Sequence, residues 1–247
     1  MSIWLIGGTS ESAKLANLLA ANRLPCLITV TTESARGLYP QSPYLEVRVG
    51  KLDGKQINSL FREQNIRRII DSSHPYAIEI SQLAIAAASQ YQLPYLRYER
   101  PTVGEQGGEK LDSFSTLVQG NYLLGQRVLL SIGYKALPLF KPWQNKATLF
   151  ARILPSLASL QVALEAGFTN HRLVAIRPPL TRELERALWQ QWEISLVVTK
   201  ASGQAGGEVM KRSLAKELSI PLITIARPQI DYPQKTSNLE EVLKFCQ

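Results

Sequence analysis

Short apolar runs alternate with longer segments of helical period along this chain. Ile3–Ile6 reads as a buried strand and Ser10–Ala21 as an amphipathic helix. Strands follow at 26–31 and 45–49, a helix at 55–64, a strand at 68–71, an Ala-rich helix at 78–90 and a strand at 94–98. After the polar, glycine-rich stretch Glu99–Lys110 the alternation restarts. Strands are expected at 127–131, 148–153, 173–176, 196–199 and 222–225, with helices at 157–166, 182–191 and 208–218 and a last one at 239–245. Strand, helix, strand with short connections is the signature of a parallel sheet covered on both faces. The pattern therefore predicts an α/β fold of two Rossmann-like parallel-sheet domains, with a cofactor and substrate cleft between them. The N-terminal nucleotide-binding domain is expected over 1–105 and the second over 106–247.

Composition narrows the function classes. The chain has 247 residues, 45% hydrophobic and 19% charged, within the range of ordinary globular domains. A formal net charge of +8 favours a polyanionic partner, although solubility alone also explains it. The basic residues are scattered, with no zinc or helix-turn-helix pattern, which argues against nucleic acid. No apolar run approaches the roughly 20 residues that span a bilayer, and the start lacks a signal-peptide pattern, so a cytoplasmic protein without membrane contact is expected. Cys26 and Cys246 share no motif spacing, and no metal-ligand cluster is visible.

Three turns carry the candidate chemistry. In GGTSES, Gly7 and Gly8 let the backbone approach a phosphate at the start of a helix, and Thr9 and Ser10 add hydroxyls. The plain alternative is a tight turn with Ser10 capping the helix. After the second strand, Thr31, Thr32 and Ser34 offer hydroxyls and Arg36 can pair with a 2′-phosphate, which favours NADPH; Glu33 argues for NADH, which stays open. In DSSHPYA, Ser72 and Ser73 are placed to touch the cofactor. His74, one of two histidines, is placed to move a proton or, alternatively, to shape its loop. In VVTKASGQAGGEVMK, Lys200 ends a strand, Lys211 lies one turn into the next helix, and Gly203, Gly206 and Gly207 can form a concave set of amides for a carboxylate or phosphate. Solvated lysines beside a flexible loop are the alternative. A further glycine turn, Ser131–Gly133, followed by Tyr134 and Lys135, opens toward the same sheet edge.

Together GGTSES, DSSHPYA, LPYLRYERP at Leu93–Pro101, the VVTK segment with its glycine loop, and IPLITIARP at Ile220–Pro228 resemble the precorrin-6A reductase family of cobalamin biosynthesis, whose substrate is metal-free or cobalt-loaded. The resemblance implies reduction of a macrocycle double bond of precorrin-6A, or its cobalt form, to the precorrin-6B form by a nicotinamide cofactor. The substrate is then a tetrapyrrole with several carboxylates, in keeping with the basic charge, and neighbouring pathway enzymes are transient partners. By this similarity Gly8, Thr9 and Ser10 contact the cofactor phosphates and Ser72, His74 and Tyr76 line the nicotinamide side. Lys200 and Ser202 face it from the other domain; His74 and Lys200 are the catalytic candidates. Tyr76, Ser131, Gly133, Ser202, Gly203 and Lys211 are the substrate-side candidates. SGQAGG is longer than the family's SGG form, and IRPPL at Ile176–Leu180 has prolines where a glycine turn is usual. An NADPH-binding redox sensor without turnover, or a reductase of another small substrate, are the competing readings; no Tyr-x-x-x-Lys pair on a helix supports the latter.

Overall fold

The computed structural model describes residues 2–101 and 108–247, apart from the side chain of residue 205. The chain folds into two units, Met1–Pro101 with Gln229–Gln247, and Thr102–Pro228.

The first unit is a six-stranded, all-parallel sheet. Its elements are β1 (Ser2–Ile6), α1 (Ser10–Ala21), β2 (Cys26–Val30), α2 (Glu33–Arg36), β3 (Leu45–Val49), α3 (Gly54–Gln64), β4 (Ile66–Asp71), α4 (Ile78–Gln90) and β5 (Tyr95–Tyr98). The strand order runs β3, β2, β1, β4, β5, and the edge is completed by β12 (Lys235–Thr236). In β1 the side chains alternate between two buried layers: Ile3 and Leu5 pack with α1 and with α9 (Leu239–Cys246), while Trp4 and Ile6 pack with α3 and α4. That two-sided burial is why its sequence is a continuous apolar run. Thr9 caps α1 in a reciprocal bond pair with Ser12, and Asp53 caps α3 with Gln56 in the same way. Ser10 is therefore the first residue of α1, not its cap.

The second unit repeats the plan. It contains β6 (Glu109–Leu111), α5 (Phe114–Gln119), β7 (Arg127–Ser131), β8 (Thr148–Ile153), α6 (Leu157–Glu165), β9 (Leu173–Ala175), α7 (Arg182–Gln191), β10 (Leu196–Lys200), α8 (Glu208–Glu217) and β11 (Leu222–Ile225). The order is β9, β8, β7, β10, β11, β6, again all parallel. Between β7 and β8 the chain runs as a 3₁₀ segment, Tyr134–Trp143. Pro138 and Pro142 lie inside it and lack the N–H groups an α-helix needs. Leu137, Phe140 and Trp143 still bury themselves against the sheet.

One expectation is revised. A second domain continuous over 106–247 does not describe the chain: residues Gln229–Gln247 return to the first unit, where Arg97 N–H donates to the Gln234 carbonyl at 2.8 Å and Val242 and Cys246 join the α1-side core. The glycine-rich connection expected at Glu99–Lys110 falls largely on residues 102–107, outside the described residues.

Candidate functional site

In a doubly wound sheet the strand order reverses direction at one point, and the loops there diverge to leave a crevice beyond the carboxyl ends. In the first unit that point lies between β1 and β4. It brings Gly7, Gly8 and Thr9 to the loop Ser72–His74. The Thr9 hydroxyl donates to the Ser72 carbonyl at 2.8 Å, tying the two loops together. That hydroxyl also accepts from Ser12 N–H at 3.0 Å, so Thr9 builds the crevice rather than offering a spare donor to it.

The glycines are required by neighbours, not by pattern alone. A Cβ on Gly7 would stand 2.2 Å from the Tyr39 hydroxyl. That hydroxyl accepts from Gly8 N–H and meets the Ser12 hydroxyl, each at 2.7 Å, and its burial raises its pKa. Gly8 has φ +97°, and nothing lies within 4 Å of where its Cβ would point. The turn is thus open on the side a ligand phosphate would use. Beside it the Ser72 hydroxyl is buried and has no hydrogen-bond partner among the described residues. A buried donor left unpaired is costly and points to a missing acceptor. Ser10 is exposed and donates to Glu11. Glu11 pairs with Arg100 at 2.7 Å; burial pushes its carboxyl pKa up, but the arginine outweighs this and holds it below the ordinary value. The acid at the start of α1 is therefore neutralised where a phosphate would come. These residues fit a dinucleotide.

At the end of β2, Thr32 meets Ser34 at 3.1 Å, and Arg36 pairs with Glu33 at 3.1 Å on the short helix α2. The two residues that argue for opposite cofactors hold each other, both more than half exposed. Past Ser73, the His74 ring Nδ1 accepts from Tyr76 N–H at 3.3 Å, so a neutral ring carries its proton on Nε2. The two rings lie 5.7 Å apart.

Beneath this loop lies a charge network the sequence did not single out. Asp71 is fully buried and accepts from Ser73 N–H (2.9 Å), the Ser81 hydroxyl (2.6 Å), the Tyr95 hydroxyl (2.7 Å) and Arg97 (2.7 Å). Arg97, equally buried, also donates to the Ser73 hydroxyl at 3.1 Å.

The second unit's reversal lies between β7 and β10. It gathers Ser131, Gly133 and Lys200: a Cβ on Gly133 would be 3.5 Å from the Lys200 ammonium. Burial, with Lys135 nearby, lowers the Lys200 pKa to about 8. The Ser131 hydroxyl accepts at 2.6 Å from Arg152, which also pairs with buried Glu185. Arg152 is a cation that periodicity had placed on a strand without a role. Lys211 is 2% exposed, and its ammonium donates to the Gly206 carbonyl at 3.0 Å. Burial and Arg152 lower its pKa to about 8, against the opposing pull of Glu185 and Glu208.

The expected concave set of amides is not available here. Gly206 N–H donates to the Gly203 carbonyl, Gly207 N–H to the Gln204 carbonyl, and Gly203 N–H to the Glu208 carboxylate at 2.8 Å. The loop satisfies itself, and what it presents is side-chain charge. Gly206 is needed for a different reason: its Cβ would fall 1.9 Å from the Ser202 hydroxyl. Among the described residues no three His, Cys, Asp or Glu side chains group as metal ligands, and no helix is long and apolar enough to cross a membrane.

Two doubly wound sheets, each with its polar residues gathered where the strand order reverses, define a Rossmann-like α/β protein. Comparison with known proteins gives the family. Residues 2–247 match the family model described as precorrin-6x reductase CbiJ/CobK. The chain is 45% identical to the cobalt-precorrin-6A reductase of Synechocystis, covering 100% of this chain and 96% of that protein. It is 30% identical to the precorrin-6A reductase of Rhodococcus erythropolis over 97% of this chain and 94% of the other. A solved structure titled CobK precorrin-6A reductase shares the fold at a TM-score of 0.80 and 24% identity, covering 99% and 95%. The chain belongs to the precorrin-6x reductase family.

Proposed function

We propose that this chain reduces precorrin-6A or its cobalt form with NADPH, giving the precorrin-6B form. The observation that carries the reading is the cradle at the β1–β4 reversal, with an open glycine turn beside the unpartnered Ser72 hydroxyl. It stands in a chain that matches a reductase family over its whole described length. The 45% identical relative, named for the cobalt form, favours that substrate.

When bound, a reduced nicotinamide supplies the hydride; NADH remains the alternative donor. Gly7 and Gly8 admit the pyrophosphate, Ser72 donates to it, and Ser10 lies at the helix start beside it. Thr32 and Arg36 stand at the end of β2, where the adenosine ribose is bound in such folds, and Arg36 reads the 2′-phosphate by exchanging Glu33 for it. Ser73, held by Asp71 and Arg97, sets the loop that presents His74 and Tyr76. Reducing a double bond needs one proton besides the hydride, and His74, with its Nε2 proton, is the donor assigned here.

In the second unit Lys200, Lys211 and Arg152 hold substrate carboxylates, with Ser131, Gly133, Ser202 and Gly203 shaping their surroundings. A buried ammonium is costly alone and favourable opposite an anion, so lowered lysine pKa values suit a polycarboxylate. Anaerobic NADPH oxidation, followed by absorbance with each form of precorrin-6A, tests the whole. Turnover with either is expected. Tight NADPH binding with oxidation by neither would refute the reductase and leave a sensor.

A further inference from the structure

Four charges of alternating sign run through the first unit: Asp71, Arg97, Glu99 and Lys235. Asp71 and Arg97 are joined at 2.7 Å, Arg97 and Glu99 at 3.8 Å, and Glu99 and Lys235 at 2.7 Å. The first three are buried and Lys235 is half exposed on the returning chain. The Tyr232 ring lies 5.2 Å from the Arg97 guanidinium carbon and stacks near-parallel on Tyr95. So many polar groups sealed in one place are kept for what they hold, since a well-packed apolar replacement of similar volume is often no less stable. What they hold is the loop after β4. Two of the groups that end on Asp71 and Arg97 belong to Ser73, its N–H and its hydroxyl.

We propose that Asp71 and Arg97 are a positioning pair for the loop Ser72–Tyr76, clamped from below by the C-terminal return through Tyr232 and Lys235. The pair touches neither substrate nor cofactor. It fixes Ser73, and through Ser73 the direction in which Ser72 and His74 leave the sheet. The chain's last residues thus act on the site formed by its first: β12 pairs with β5 through Lys235↔Arg97, so the register of the return sets where Tyr232 covers the arginine. The proposal rests on the reading that the dinucleotide binds at the β1–β4 reversal.

Removing either charge strands its partner in the core and strongly destabilises the fold, so the test works at the rim. Tyr95→Phe with Ser81→Ala takes both hydroxyl donors from one carboxylate oxygen of Asp71 and leaves the Arg97 pair intact. Phe61→Leu, in the same α3–α4 core layer but bonded to none of these groups, is the control for plain destabilisation. The readouts are NADPH affinity by fluorescence titration and amide hydrogen exchange of residues 72–77 in the cofactor-free protein. The double variant is expected to weaken NADPH binding about three- to tenfold and to speed exchange in that segment. The control, at a matched drop in melting temperature, changes neither. Equal affinity and equal exchange in the two variants would overturn the positioning role. If the parent protein binds no NADPH, the cofactor reading fails, and hydrogen exchange alone decides the proposal.

Discussion

The two units share one strand order and differ in what they bury at its reversal. In the first, the ionised groups under the crevice satisfy one another: Asp71 meets four donors, and Arg97 meets an acid and a hydroxyl. Above them lie the glycine turn and Ser72, beside the mutually paired Glu11 and Arg100. In the second, Lys211 is surrounded by Arg152, Lys200, Glu185 and Glu208, and burial lowers the pKa of both Lys200 and Lys211 to about 8. Buried charge held by groups of opposite sign builds a frame. Buried ammonium groups with lowered pKa values mark a candidate site for a ligand of opposite sign. By the function proposed, the same backbone plan serves a dinucleotide on one sheet and a polycarboxylate on the other.

The largest effect expected from this contrast is on stability in the first unit. Asp71→Asn should cost about 3–5 kcal/mol in urea unfolding, because it leaves Arg97 buried without its counter-ion. Next is function in the second unit. Lys200→Met should lower kcat/KM about 30- to 100-fold at pH 7, the size of a lost charge-assisted contact, while the dissociation constant for NADPH moves less than twofold. With both lysines intact, KM for the tetrapyrrole should rise as pH passes about 8 and these ammonium groups lose their protons. A KM flat from pH 7 to 9 would remove the lysines from substrate binding.

Lys211→Met reverses the sign seen at Asp71. Its folded pKa, about 8, lies below the ordinary 10.5. Below pH 8 the group is charged in both states, and the full cost of burying it is present. Between about 8 and 10.5 the unfolded chain binds more protons, so stability rises with pH and that cost is relieved. Methionine removes it, and the variant should gain about 1–2 kcal/mol at pH 7, a few degrees in Tm. The gain should vanish by pH 10 or above, and substrate binding should weaken. Thermal melts at the two pH values check it; a variant less stable than the parent at pH 7 would mean Lys211 is a structural residue.

Legibility in the sequence followed the same divide. Strongly periodic elements such as Ser10–Ala21, Ile78–Gln90 and Arg127–Ser131 show the expected bounds, because burial on one or both faces writes itself into the pattern. β6 and β12 did not show: Glu-Lys-Leu and Lys-Thr carry no pattern, and their pairing is decided by neighbours distant in sequence. The return of Gln229–Gln247 was hidden for that reason. At the site, glycines and hydroxyls beside strand ends stood out by position. Arg97 did not, since an arginine within an alternating strand reads as solvent-facing, and only Asp71 opposite it reveals a buried ion pair.

The smallest effect expected concerns cofactor choice, where two exposed residues compete. Arg36 and Glu33 pair across one helical turn with side chains 53% and 74% exposed, so their mutual attraction is screened and weak. A 2′-phosphate, with about two negative charges, outcompetes one carboxylate for the guanidinium. Arg36→Ala should therefore lower the preference for NADPH over NADH about three- to tenfold. Glu33→Ala should raise it by a smaller factor, because it frees the arginine and removes a like charge from the phosphate. Titrating both variants with both cofactors separates the cases. Opposite shifts place the 2′-phosphate at this pair. No shift in Arg36→Ala would move its recognition to another part of the first unit and leave untouched the proposed role of the β1–β4 cradle, which concerns only what both cofactors share.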